Sequence, residues 1–218
     1  MIRNHDPLLM AHPVNLDAHI FREDFQALSA APSPSGEIFK ELSVIELQNA
    51  VGSILRKPDF QRETISWTPQ RVMEFVQSLA DGDTIPSVIL WRSPNTGNVF
   101  VIDGAHRLSA VLGWIKDDYG DKEHSQKFFN FKIPSEQQTA ARETRELIAK
   151  HVGSYQMLEQ ARSKPDAAKP EHIRRANNLL TFRMYVQWIH GDARNAEESF
   201  SKINQRAVPI DKIGRAHV

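Results

Sequence analysis

Apolar residues recur along this chain in two spacings, and the clearest runs lie in its middle third. From Thr68-Pro69 onward, Val72, Met73, Val76 and Leu79 fall on one face of a helix. Thr68 is placed to cap that helix, Pro69 suits its first position, and Gly82 is placed to end it. Residues 87–91 then form a short apolar strand, and Pro94-Asn95-Thr96-Gly97 reads as a turn. A β-branched and aromatic run, Val99-Phe100-Val101-Ile102, predicts a second strand. It meets Asp103-Gly104, after which Leu108, Val111, Leu112 and Ile115 repeat the helical stripe.

On either side the pattern is weaker. Residues 1–36 read as a flexible tail with a short helix around residues 16–28, and Ala30-Ala31-Pro32-Ser33-Pro34-Ser35-Gly36 reads as a linker. Ser43 and Glu46 have capping-box spacing. Beyond Lys116 the chain reads as helical. Ser135 and Gln138 open a helix to about His151, and residues 164–170 form a polar connector. Pro170 then opens a helix to about Ile189, with Ile173, Ala176, Leu180 and Met184 on one face. Asp117-Asp118-Tyr119-Gly120-Asp121 lacks the spacing of a calcium loop and reads as a solvated turn. The expected class is α+β: a small mixed sheet with helices over residues 43–116, and a mostly helical extension of the same domain over residues 117–212. The last six residues, Ile213-Gly214-Arg215-Ala216-His217-Val218, match one reading frame of a common sequencing adapter. They are expected to carry no information about fold, and the natural protein is expected to continue past Lys212.

Composition narrows the class only modestly. The 218 residues suffice for a sizeable core, with 27 basic residues against 27 acidic ones. Net charge therefore points neither toward nucleic acid nor away from it. The chain has no cysteine, which excludes disulfides and thiolate chemistry and fits a cytoplasmic protein. No apolar run approaches a membrane span of roughly 18 residues, and the N-terminus lacks a signal-peptide core. Membrane association is not expected, and a homo-oligomer stays open.

Candidate chemistry concentrates where the second strand turns into its helix. A helix start presents unpaired N–H groups and positive potential, which suit a phosphate. This one carries a carboxylate (Asp103), an imidazole (His106) and a guanidinium (Arg107). Simpler roles stand beside these: Asp103 as a helix cap, Gly104 as a tight turn, His106 and Arg107 as solvated groups. Three other segments accompany the turn: Phe60-Gln61-Arg62 with Trp67; residues 83–90; and residues 200–210, which include Ile203-Asn204 and Val208-Pro209. Arg62 is a second candidate phosphate clamp or a partner for a carboxylate. Gln61 and Asn204 either reach the pocket or bond to local backbone. Trp67 is either a core residue or a stacking platform.

In this order and spacing, roughly residues 43–212 resemble the N-terminal domain of GmrSD-type modification-dependent restriction proteins, which is similar to the ParB-like nuclease and sulfiredoxin fold group. The signature of that family is Asp-Gly-Gln-Gln-Arg or Asp-Gly-Gln-His-Arg, and here it stands as Asp103-Gly104-Ala105-His106-Arg107. Ala105 replaces a Gln, so that amide is absent. Arg206 and Ala207 stand where small, glycine-like residues are common. The resemblance implies a ParB-like mixed sheet and a nucleotide-binding, NTP-hydrolysing domain of a restriction protein. Asp103, His106 and Arg107 would be catalytic, with Gln61, Arg62, Gly104, Ala105 and Asn204 holding the nucleotide. Asp103 is the candidate Mg²⁺ ligand. DNA would be engaged through a C-terminal nuclease domain beyond these residues. Two alternatives remain: a ParB-like DNA-binding or nuclease module, and an inactive interaction protein of the same fold.

Overall fold

The computed structural model describes residues 12–25, 37–61 and 65–206. Six strands form one mixed sheet in the order β1-β3-β5-β4-β6-β2. They are β1 (Phe21–Glu23), β2 (Glu41–Leu42), β3 (Leu55–Pro58), β4 (Val88–Arg92), β5 (Val99–Asp103) and β6 (Met184–Trp188). β3 runs parallel to β1 and to β5, β4 is antiparallel to β5 and parallel to β6, and β2 closes the far edge antiparallel to β6. The sheet thus confirms the α+β expectation.

β5 is the central strand, and its sequence says why. Val99, Phe100, Val101 and Ile102 are all buried, so both faces of the strand are covered. Val99 and Val101 join the main core with Val88 and Leu90 of β4. Phe100 and Ile102 point the other way, into a smaller core with Trp91 and Phe25. The main core is covered by α1 (Val44–Gln48), α2 (Ala50–Ile54), α3 (Pro69–Asp81), α4 (Ala105–Lys116), α6 (Ser135–His151), α7 (Tyr155–Ser163) and α8 (Pro170–Thr181). The smaller core is covered by α9 (Ala193–Arg206), which brings Ala193, Ala196, Phe200 and Ile203. α5 (Glu123–Phe128) packs on the 3-10 turn Asp17–His19.

The local capping signals hold. Thr68 Oγ1 accepts from the Arg71 amide, Pro69 opens α3, and Gly82 ends it at φ 85°. Ser43 and Glu46 form the full capping box.

Several expectations are corrected. The segment 12–25 is not a tail, and the described part of the helix expected around residues 16–28 is a 3-10 turn, Asp17–His19, followed by β1. Val14, Leu16 and Ile20 are buried in the main core, and Asp17, Ala18 and His19 of the turn are buried as well, so the segment packs against the fold. The helix expected to reach Ile189 stops at Thr181. In Met184–Trp188, Met184 is buried while Tyr185 and Gln187 are exposed, so this stretch alternates as a strand and β6 completes the sheet. The division at residue 116 therefore does not separate sheet from helices. The helix expected from Ser135 to about His151 is present as α6, with Pro134 at the cap position and Gln138 donating to the Ile133 carbonyl. The loop at Asp117–Asp121 is not solvated. The buried Asp118 carboxylate accepts from the amides of Gly120, Asp121, Lys122 and Ser125, while Arg145 bonds Asp117 and Asp121. The expected linker at residues 30–36 and the last six residues lie outside the described residues.

Candidate functional site

The end of β5 is irregular, and the irregularity shapes the site. Pairing with β4 steps by one residue between Ile89 and Leu90, so Ile102 is an extra residue just before Asp103. Such bulges bend a strand and re-aim the residues that follow. The Ile102 carbonyl accepts from Gln61 Nε2 at 3.3 Å, which ties the loop after β3 to the end of β5.

Gly104 then turns the chain at φ 99° and serves as the N-cap of α4, with no side chain capping the helix. Asp103 is therefore not the cap. Its carboxylate accepts from Arg107 Nη2 at 2.7 Å, and the same nitrogen donates to the Ser87 carbonyl at 3.0 Å. Asp103 remains 42% exposed and Arg107 19%, so the bridge sits at the rim rather than inside the core. Only glycine fits at position 104. A Cβ there would lie 2.6 Å from Val88 Cγ1 and 3.0 Å from Arg107 Nη2.

His106 is half-buried and pressed flat against Trp67, with ring centroids 5.5 Å apart and an interplanar angle of 23°. Its Nε2 lies 2.9 Å from Ser66 Oγ. Burial, followed by the nearby charge of Lys57, pushes its pKa down to about 4. The imidazole is thus held in its neutral form at pH 7. The Arg71 guanidinium lies over the Trp67 ring, 5.1 Å from its centroid. Trp67 is accordingly both a partial core residue and a wall of the site.

These groups face a cleft of about 630 Å³. It gathers Gln61, Asp103, Gly104, Ala105, His106, Arg107 and Asn204 from the sequence-based set, so segments distant along the chain meet there. Ala105 contributes backbone only, since its side chain is 4% exposed and belongs to the main core. Asn204 Nδ2 donates to the Phe200 carbonyl of its own helix. Arg62 lies outside the described residues. Arg174 does not line the cleft; it bonds Asp81. Ser66 and Arg71 were not singled out from sequence. For Arg71 a signal was available, because a residue four positions after Trp67 lies near it at a helix start. Phe60, Phe200 and Ile203 line an apolar part of the same cleft. Gln61 Oε1 and Arg107 Nε are buried without a hydrogen-bond partner.

Among the described residues, Asp103 is the only carboxylate lining the cleft, and no group of three or more His, Cys, Asp or Glu residues is placed to hold a metal. No helix among the described residues is long and apolar enough to cross a membrane. In comparisons with known proteins, the family model described as "GmrSD restriction endonuclease, N-terminal domain" matches residues 42–213. No curated protein and no solved structure matches the chain.

Proposed function

Because the chain belongs to the GmrSD restriction endonuclease N-terminal domain family, we propose that the cleft at the end of β5 binds a nucleoside triphosphate and hydrolyses it, as the regulatory step of a restriction protein. The observation that carries this reading is the start of α4. It has no side-chain cap, opens into a cleft of about 630 Å³, and is flanked by Arg107 and by the Trp67–His106 stack.

The roles follow from the chemistry of each group. The first amides of α4 meet phosphate oxygens. Arg107, held in place by Asp103 and the Ser87 carbonyl, presents its guanidinium to the same oxygens. Arg71 supplies a second cation across Trp67. His106, being neutral, serves as a hydrogen-bonding group or a base rather than as a cationic clamp. The apolar part at Phe60 and Phe200 receives the base of the nucleotide. Gln61 and Asn204 complete the polar lining. A Mg²⁺ ion arriving with the phosphates fits this donor set, because it needs only one or two protein carboxylates beside phosphate and water, and Asp103 is the one available. The ion would neutralise charge on the phosphates during transfer. DNA cutting is assigned to a separate nuclease domain.

The Asp103–Arg107 bridge also favours a second reading, in which nucleotide is bound as a signal and not hydrolysed. Calorimetry with a panel of NTPs and Mg²⁺, followed by phosphate release, tests both. Binding should weaken at least about tenfold in Asp103→Ala and in Arg107→Ala, each still folded by circular dichroism. Binding without phosphate release selects the second reading. Unchanged binding in both variants sinks the assignment. Salt-sensitive DNA binding in its place would favour a DNA-contact module.

A further inference from the structure

The cleft is braced by a segment that precedes the family match. Residues 12–25 lie ahead of residue 42, where the match begins, yet they reach both walls of the cleft. At one wall, the Val14 amide donates to the Trp67 carbonyl at 2.8 Å. At the other, the Phe25 ring meets Phe60 edge-on with centroids 5.2 Å apart, and Phe60 meets Phe200 of α9 at 5.0 Å. The Phe25 amide donates to the Asp59 carboxylate at 3.2 Å. Between these two contacts, β1 pairs with β3 from Phe21 opposite Arg56 to Glu23 opposite Pro58. Asp17, on the turn before β1, accepts from Lys57 Nζ of β3 and from Arg22 at 3.2 Å. The Lys57 side chain is 0% exposed and that of Asp17 is 1%.

We infer that residues 14–25 form a strap that sets the spacing of the two cleft walls, with the buried Asp17–Lys57 pair as its lock. The Val14 amide holds the backbone of Trp67, so the ring stays stacked on His106. Phe25 holds the ring of Phe60, and through it the wall supplied by α9. The lock gives the strap one seating: sliding β1 along β3 would draw the buried Asp17 carboxylate away from the buried Lys57 ammonium, a costly separation of charges. Val14 and Phe25 act through Trp67 and Phe60 and are therefore positioning residues. Part of the test rests on the nucleotide reading of the cleft, and part is independent of it.

The independent part uses NMR on the full 218-residue chain. Val14→Pro removes the amide, whereas Val14→Ala keeps it and trims only the side chain. The His106 Hε1 signal, shifted by the stacked Trp67 ring, should move toward its free-imidazole position in Val14→Pro and stay in place in Val14→Ala. Should Val14→Pro fail to fold, Arg22→Ala loosens the lock from its solvent side. In that variant faster amide exchange across residues 14–25 should come with a displaced or broadened His106 signal. The nucleotide part compares Phe25→Ala with Leu158→Ala, a truncation in the main core by α7, at a temperature where both are folded. Affinity for Mg·ATP or Mg·GTP should fall about tenfold in the first and stay within about twofold in the second. An undisturbed His106 signal in Val14→Pro, or in a loosened Arg22→Ala, overturns the inference. Equal weakening by Phe25→Ala and Leu158→Ala overturns it too, since the segment then adds stability alone. If the wild-type chain binds neither nucleotide but the two Val14 variants differ as stated, the nucleotide reading fails and the strap stands.

Discussion

Replacing Gly104 with Ala tests the site's construction at its tightest point. The backbone there has φ 99°, a conformation in which an L-residue is strained by about 1–2 kcal/mol. The new Cβ would also lie 2.6 Å from Val88 Cγ1, against the roughly 3.5–4.0 Å of comfortable carbon contact. Val88 is fully buried in β4 and has little room to yield, so overpacking adds about 1–3 kcal/mol. The sum is a loss of about 2–5 kcal/mol. For a chain of this size that corresponds to a fall in Tm of about 4–20 °C. Urea unfolding of the wild type, Gly104→Ala, Val88→Ala and the double variant separates the two contributions. Trimming Val88 relieves the clash but not the backbone strain, so the cost of Gly104→Ala should fall by at least about 1 kcal/mol in the Val88→Ala background. An equal cost in both backgrounds would refute the packing argument. A Gly104→Ala protein within about 0.5 kcal/mol of wild type would refute the account of the turn as a whole.

Three further outcomes are expected. His19 is fully buried, and burial lowers its pKa to about 4, partly offset by Asp118 and reinforced by Lys116 and His124. Its unfolded value is near 6.5, so the unfolded state takes up the proton first. Stability from this residue should be complete above about pH 6.5 and decline by up to about 3 kcal/mol as pH falls to about 4, seen as urea midpoints at pH 7 and pH 4.5. A flat profile across that window would contradict the burial of a neutral His19. Arg175 donates to Asp81 and to the carbonyls of His151 and Val152 from a side chain only 4% exposed. Arg175→Ala should therefore cost about 3–5 kcal/mol, well beyond the value for a surface arginine such as Arg194. Thr68→Ala removes the cap of α3 and should cost about 1 kcal/mol by chemical denaturation, with Thr68→Ser restoring most of it.

The amino-acid sequence alone determined the features whose causes lie within a few residues of one another. The stripe and caps of α3, the capping box at Ser43 and the turn at Gly104 into α4 are short-range events, and each was legible. So was the identity of most of the polar cleft residues, because the Asp103-to-Arg107 signature is contiguous. Only the tertiary structure decided whatever depends on long-range pairing or on desolvation. Residues 184–188 became a strand because β4 and β2 wait on either side for them, a fact no local window contains. The segment 12–25 looked like a tail because its worth lies in Lys57, Trp67 and Phe60, the nearest of them more than thirty residues from its end. That Asp103 bonds Arg107 one turn away instead of capping α4 depended on Gly104 taking the cap position. The lowered pKa of His106 comes from its burial and from the charge of Lys57 on β3. Periodicity and capping are properties of neighbours along the chain. A pKa, an ion pair or a sheet edge is a property of neighbours in space, and it exists only once the chain has closed around it.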